Sequence, residues 1–133
     1  MNEIELSQQI HVLDDGLLVE LISINHTNIS FNCFHSYQVM IKSGCFRVMH
    51  YHKTKEKWLA HTSGNNTILL ENRRTKKRKE ISFDKNMDNY SLIYIPLMVA
   101  HAIKNVGIGN ASVVVFSKNS EIMGDTIAYK MEI

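Results

Sequence analysis

The chain of 133 residues has one proline, six glycines, two cysteines and one tryptophan. Each scarcity excludes a class of protein. So little proline and glycine rules out a collagen-like or mucin-like chain, and an apolar fraction of 44% rules out full disorder. Two cysteines, Cys33 and Cys45, do not make a disulfide framework, and free cysteines of this kind usually fill small apolar gaps. The opening MNEIELSQQIHVLDDG carries acids where a secretory signal carries bases, and it has no apolar core. The longest apolar run, Leu92 to Ile103, has 12 residues and contains Pro96 and His101, too short a stretch to cross a bilayer. A cytoplasmic protein with reduced thiols and no membrane partner is expected.

The chain also has little net charge, +2 from 15 bases and 13 acids. That balance hides an asymmetry. Six of the bases fall in RRTKKRK (73–79), so the other nine face 13 acids and the rest of the chain is net −4. Such a block can bind phosphates. It lies between ThrIleLeuLeu (67–70) and IleSerPhe (81–83), however, which is where a solvated hairpin tip belongs. No aromatic residues are interleaved for base stacking, so no nucleic-acid partner is expected.

What the chain does have is short alternating runs. Strand-like segments centre near 10–13, 17–23, 31–42, 45–52, 57–62, 66–72, 79–83, 92–95, 100–105, 112–117 and 126–132. Turn formers such as AspAspGly (14–16), SerGly (43–44) and GlyIleGlyAsn (107–110) separate them. Many short strands without helical periodicity predict an all-β sandwich or barrel in one domain, residues 1–133.

Seven histidines are the other unusual feature, three of them within twelve positions: His50, His52 and His61. Residues two apart on a strand share a face, so His50 and His52 project together, on a face that strict alternation also assigns to Phe46 and Val48. Arg47 then faces away. Glu56 follows a Lys-Thr-Lys turn that can fold its carboxylate back. Pro96 fixes the entry to a later strand carrying His101. Two imidazoles, a carboxylate and a third imidazole are a complete ligand set for a divalent metal, with positions left for water or substrate. The alternatives are a metal-free catalytic histidine pair and a hydrogen-bonded polar interior. His35 and His61 read as structural or surface residues, Trp58 as core, and Asp125 with Thr126 as a turn and its cap.

Gly44, His50, His52, Glu56 and Gly64 resemble the first motif of the cupin superfamily, with seven residues before the last glycine instead of six. Pro96, Met98, His101 and Asn105 resemble the second, with methionine in place of glycine. The resemblance implies a double-stranded β-helix, a small jelly-roll barrel with its site inside. ArgValMetHisTyrHisLysThrLysGluLysTrpLeu (47–59) and IleProLeuMetValAlaHisAlaIleLysAsnValGly (95–107) are similar to stretches of the bacterial sugar-nucleotide cupins. So are ValLeuAspAspGlyLeuLeuValGluLeu (12–21) and the closing GlyAspThrIleAlaTyr (124–129), the latter like the cupin domain of capsule-biosynthesis reductases.

Those relatives include 3,5-epimerases and 3,4-ketoisomerases of 4-keto-6-deoxy sugars. The resemblance implies an isomerase acting on a nucleotide-linked 4-keto-6-deoxy sugar by proton abstraction beside the ketone, in surface-polysaccharide assembly. His50 or His52 is then the base, Tyr37 the acid and Arg47 the phosphate ligand. His50, His52, Glu56 and His101 are the implied ligands of a zinc, nickel, manganese or iron ion, and no organic cofactor is expected. The rival readings are a metal-binding cupin that holds a sugar-like ligand without turnover, and a metal-dependent oxygenase. A homodimer is expected, with residues 3–13 crossing to a partner copy.

Overall fold

The computed structural model describes residues 5–7, 10–21, 35–84, 91–117 and 123–132. It contains twelve strands: β1 (Glu5–Ser7), β2 (Ile10–Leu13), β3 (Gly16–Val19), β4 (His35–Ile41), β5 (Phe46–His52), β6 (Lys57–Ser63), β7 (Asn66–Glu71), β8 (Arg78–Phe83), β9 (Ser91–Ile95), β10 (Ala100–Asn105), β11 (Ala111–Ser117) and β12 (Thr126–Ala128). No helix occurs among the described residues, and so none there is long and apolar enough to cross a membrane. One five-stranded sheet runs β1-β9-β6-β11-β4, a second runs β12-β5-β10-β7-β8, and β2 and β3 form a separate hairpin. The expected all-β double-stranded β-helix is the fold observed.

Alternation explains how the two sheets meet. Ile41, Leu59, Ile93, Ile95, Val113 and Val115 come from the first sheet. Ile68, Leu70, Ile81, Phe83 and Ile103 come from the second and pack against them in one core. β11 is apolar on both faces because both are covered. Val113 and Val115 point into the barrel, while Phe116 packs outside with Trp58, Ala60, Leu92 and Tyr94. Trp58 is therefore core, but of this outer layer. On the outer face of the second sheet, Leu69, Ala102 and Met131 form a third cluster with Met49 and Tyr129.

The motif residues without chemistry hold the frame. Gly64 has φ +80°, and a Cβ there would lie 2.6 Å from the Ala111 Cβ. Asn105 is buried and ties a turn to β4, its amide donating to the carbonyls of Ile41 at 2.9 Å and Gly109 at 2.8 Å. Met98, standing where the resemblance places glycine, has φ +67°, a left-handed conformation that costs an L residue energy.

Several expectations need revision. The run at 126–132 is a strand only over Thr126–Ala128. Cys45 is free and exposed rather than an apolar filler, and Cys33 lies outside the described residues, as do 31–34 of the predicted strand at 31–42. The basic segment does sit at a hairpin tip, between β7 and β8.

The largest revision concerns β5. His101 pairs with His50, but Ile103 pairs with Arg47, so two residues of β5 oppose one of β10. This β-bulge inverts the alternation beyond it. Arg47 joins the face of the histidines, while Phe46 pairs with Lys104 and is 49% exposed.

Candidate active site

Three imidazoles meet where β5 and β10 run side by side. The rings of His50 and His52 are 4.5 Å apart between centroids, those of His50 and His101 4.7 Å, and those of His52 and His101 5.6 Å. His101 is fully buried, and its Nδ1 lies 3.1 Å from the carbonyl of Val99. A carbonyl only accepts, so Nδ1 carries the proton and Nε2 keeps its lone pair. Burial pushes the His101 pKa well below the ordinary value, and the neighbouring Lys57, His50 and His52 push it the same way. His101 is a neutral imidazole.

His52 is held from both sides. The Lys57 ammonium approaches its Nε2 at 3.3 Å. An ammonium only donates, so Nε2 accepts and the proton sits on Nδ1. Nδ1 faces Thr126 Oγ1 at 3.2 Å and Asp125 Oδ2 at 3.6 Å. Asp125 is itself fixed: its Oδ1 accepts from Thr54 N at 2.6 Å, Thr54 Oγ1 at 2.7 Å and Lys53 N at 3.1 Å. Burial acts to raise its pKa, but the bonds from Thr54 and Lys53 and the nearby His52 outweigh it and hold the carboxyl below its usual range. Asp125 is an anion behind His52.

Tyr37 and Arg47 come to the same place from opposite walls. With His35, Val39 and His50 they line a cavity of about 500 Å³ between β4 and β5. Buried Lys55 holds its Nζ 5.2 Å from the centre of the Tyr37 ring, and His35 lies 5.2 Å away on the same strand. The bulge in β5 is what brings Arg47 here.

Glu56 does not join the three imidazoles. Alternation along β6 points Lys57 and Leu59 inward, so Glu56 and Trp58 point outward. The Glu56 carboxylate accepts a hydrogen bond from Tyr94, whose ring is 5.1 Å from that of Trp58 in the outer cluster. Burial and that bond push the Tyr94 phenol up to about 12. The three imidazoles have nitrogens within 4.8 Å of one another, near enough for one ion. The Lys57 ammonium lies against His52 Nε2 at 3.3 Å, and the buried Nε2 of His101 has no hydrogen-bond partner among the described residues. Three imidazoles are by themselves a ligand set that a divalent ion can use, and here the Lys57 ammonium would be its neighbour.

A model of the polysaccharide biosynthesis C-terminal domain matches residues 11–125. The chain belongs to that family. No curated protein sequence matches it. Solved structures do. A dTDP sugar isomerase from Desulfovibrio desulfuricans G20 aligns with a TM-score of 0.86 at 15% identity, over 97% of this chain and 84% of its own. A 3,4-ketoisomerase from Helicobacter canadensis aligns at 0.77 and 22% identity, over 96% and 90%. A mutant of the QdtA 3,4-ketoisomerase from Thermoanaerobacterium thermosaccharolyticum, in complex with TDP-4-keto-6-deoxyglucose, aligns at 0.77 and 18% identity, over 95% and 86%. At such identities the likeness shows the shared fold.

In this polysaccharide-biosynthesis domain the structure collects His50, His52, His101, Tyr37 and Arg47, and leaves Glu56 outside. It adds Asp125, Lys57 and Lys55, to which sequence reasoning gave no role in the site. Asp125 had a signal, since it stands in the closing GlyAspThr segment that carries part of the family resemblance. Lys57 had a weaker one, an inward phase set by Leu59 two residues on. Of the other histidines, His61 is structural. Its ring stacks on Phe83 at 4.9 Å, its Nδ1 accepts from Asn66 Nδ2 at 3.3 Å, and burial lowers its pKa.

Proposed function

We propose that this domain is a cytoplasmic isomerase of a nucleotide-linked 4-keto-6-deoxy sugar, working by proton abstraction beside the ketone. One observation carries the reading. His50, Tyr37 and Arg47, the proposed base, acid and cation, line a single cavity, with Lys55 beside the Tyr37 ring and Lys57 on His52. The family and the sugar-nucleotide isomerases of the same fold support it.

The carbon next to a ketone is acidic because its anion delocalises onto oxygen. His50 takes that proton, as imidazole titrates near neutral pH and needs no large perturbation to act. The resulting enediolate carries its charge on oxygen near two buried ammonium groups, Lys55 beside the Tyr37 ring and Lys57 on His52. Fixed charges of this kind are worth about 10²–10³ in rate each. Tyr37 returns a proton from the β4 wall. Inversion at C3 and migration of the ketone both pass through this enediolate. Arg47 pairs with the diphosphate at the outer end of the cavity. His52 does not reach the sugar; Asp125 and Lys57 fix its tautomer, and its ring supports His50 edge-on.

The test is to incubate the protein with dTDP-4-keto-6-deoxyglucose in deuterated water. Label is expected at a carbon flanking the ketone, and His50→Ala is expected to abolish it. Label that enters at the same rate in the variant removes the assignment of the base, and no label with the unaltered protein removes the function.

A further inference from the structure

The basic hairpin tip between β7 and β8 does not line the barrel cavity, yet its backbone is tied by hydrogen bonds. Asn72 Oδ1 accepts from the backbone of Arg74 at 3.0 Å and Thr75 at 3.1 Å, and the Asn72 amide donates to the Lys77 carbonyl at 2.9 Å. The two arginines beside it differ in kind. Arg73 lies flat on Tyr51, its Cζ 4.2 Å from the ring centre, and its Nε donates to the Met98 carbonyl at 2.9 Å. That leaves both terminal NH2 groups of a guanidinium already held in one orientation. The Arg74 side chain is exposed and makes no hydrogen bond or ion pair among the described residues.

Asn72, Arg73 and Arg74 face the Pro96–Val99 turn across a cleft of about 380 Å³. No carboxylate lines it among the described residues. Glu71 opens into the adjacent cavity instead, where Arg78 pairs with it at 3.0 Å and the Tyr129 hydroxyl donates to it at 2.6 Å.

We infer that this cleft is an anion site, separate from the barrel cavity, that takes a diphosphate group. Two adjacent guanidinium groups, one pre-ordered, suit an anion with oxygens in more than one plane, because each fork can take two of them. The volume suits a small molecule. A nucleic-acid track is disfavoured, since the aromatic faces beside the cleft are already covered, Tyr51 by Arg73 and Tyr129 by Lys76. The floor of the cleft also touches the barrel. The Met98 amide donates to the His52 carbonyl at 2.8 Å, so an occupant lies one hydrogen bond from the histidine strand. The inference stands independently of the isomerase reading.

The experiment is a titration of the intact protein with inorganic pyrophosphate, followed by calorimetry and by backbone amide shifts. Saturable binding is expected, weakening as salt is added, with shifts at 72–74 and 96–99. The Arg74 side chain makes no hydrogen bond or ion pair among the described residues, so Arg74→Gln leaves the fold intact and should weaken binding about tenfold, the loss of one charge-assisted contact. Arg47→Gln should leave pyrophosphate binding at the cleft unchanged. A parallel titration with dTDP separates the sources: shifts at the same amides identify a nucleotide-borne diphosphate, and shifts confined to the Tyr37–Arg47 cavity identify free diphosphate. The inference is overturned if pyrophosphate leaves 72–74 and 96–99 unmoved, if Arg74→Gln binds as tightly as the unaltered protein, or if a single-stranded oligonucleotide binds more tightly than pyrophosphate.

Discussion

Replacing Asp125 with asparagine separates its two jobs, holding the 53–54 turn and facing His52. The Asp125 Oδ1 accepts three hydrogen bonds, at 2.6, 2.7 and 3.1 Å. An asparagine carbonyl can accept the same three, but each weakens by about 1 kcal/mol when the acceptor loses its charge. Relief from burying that charge returns roughly 1 kcal/mol of the total. The expected net loss is about 2 kcal/mol, a fall in Tm of about 6–8 °C for a chain of this size.

The sign with pH follows from the carboxyl's depressed pKa. The carboxylate's contribution is fully present above the unfolded value near 3.8 and is lost as the pH falls through the lower folded value. The Tm gap between protein and variant is therefore widest at neutral pH and should close in acid. Deuterium exchange should also slow by about 10–100-fold, because the new amide offers His52 Nδ1 a donor where it had an acceptor. Calorimetric scans from pH 7 down to pH 3, with the exchange assay, read both effects. An equal Tm at pH 7, or a gap that widens toward acid, refutes the reasoning.

Three further outcomes are expected. Met98→Gly relieves a left-handed methionine worth about 1–2 kcal/mol, less about 0.5–1 kcal/mol for glycine's greater unfolded freedom. It should raise Tm by a few degrees, and a fall would show that the half-exposed side chain matters more than the backbone. Gly64→Ala combines φ +80° with a Cβ 2.6 Å from the Ala111 side chain, and should cost more than about 2 kcal/mol by denaturant titration. Dialysis against a strong chelator should leave deuterium exchange unchanged, since the proposed step uses His50, Tyr37 and the nearby ammonium groups rather than an ion. Activity lost on chelation and restored by an added ion would place a metal among the imidazoles after all.

Features set by local alternation were legible in the chain alone. His50 and His52 share a face because residues two apart on a strand do so where no bulge intervenes, and Val113 and Val115 part from Phe116 for the same reason. Eleven of the twelve strands and the hairpin tip at 73–79 followed from alternation and turn formers, whereas β1 (Glu5–Ser7) was missed and the second motif around His101 came from the family resemblance. Pairing between distant strands was not legible. The bulge that turns Arg47 inward exists only in the register of β5 against β10, and no property of residues 46–50 announces it. The phase of β6 after the Lys-Thr-Lys turn decided that Lys57 and not Glu56 meets His52. Asp125 reached the same histidine only through the pairing of β12 with β5. Sequence determined which side chains share a strand face, because that periodicity is a property of one extended backbone. Tertiary structure decided which of them meet, because register and bulges are settled between backbones by the hydrogen bonds they exchange.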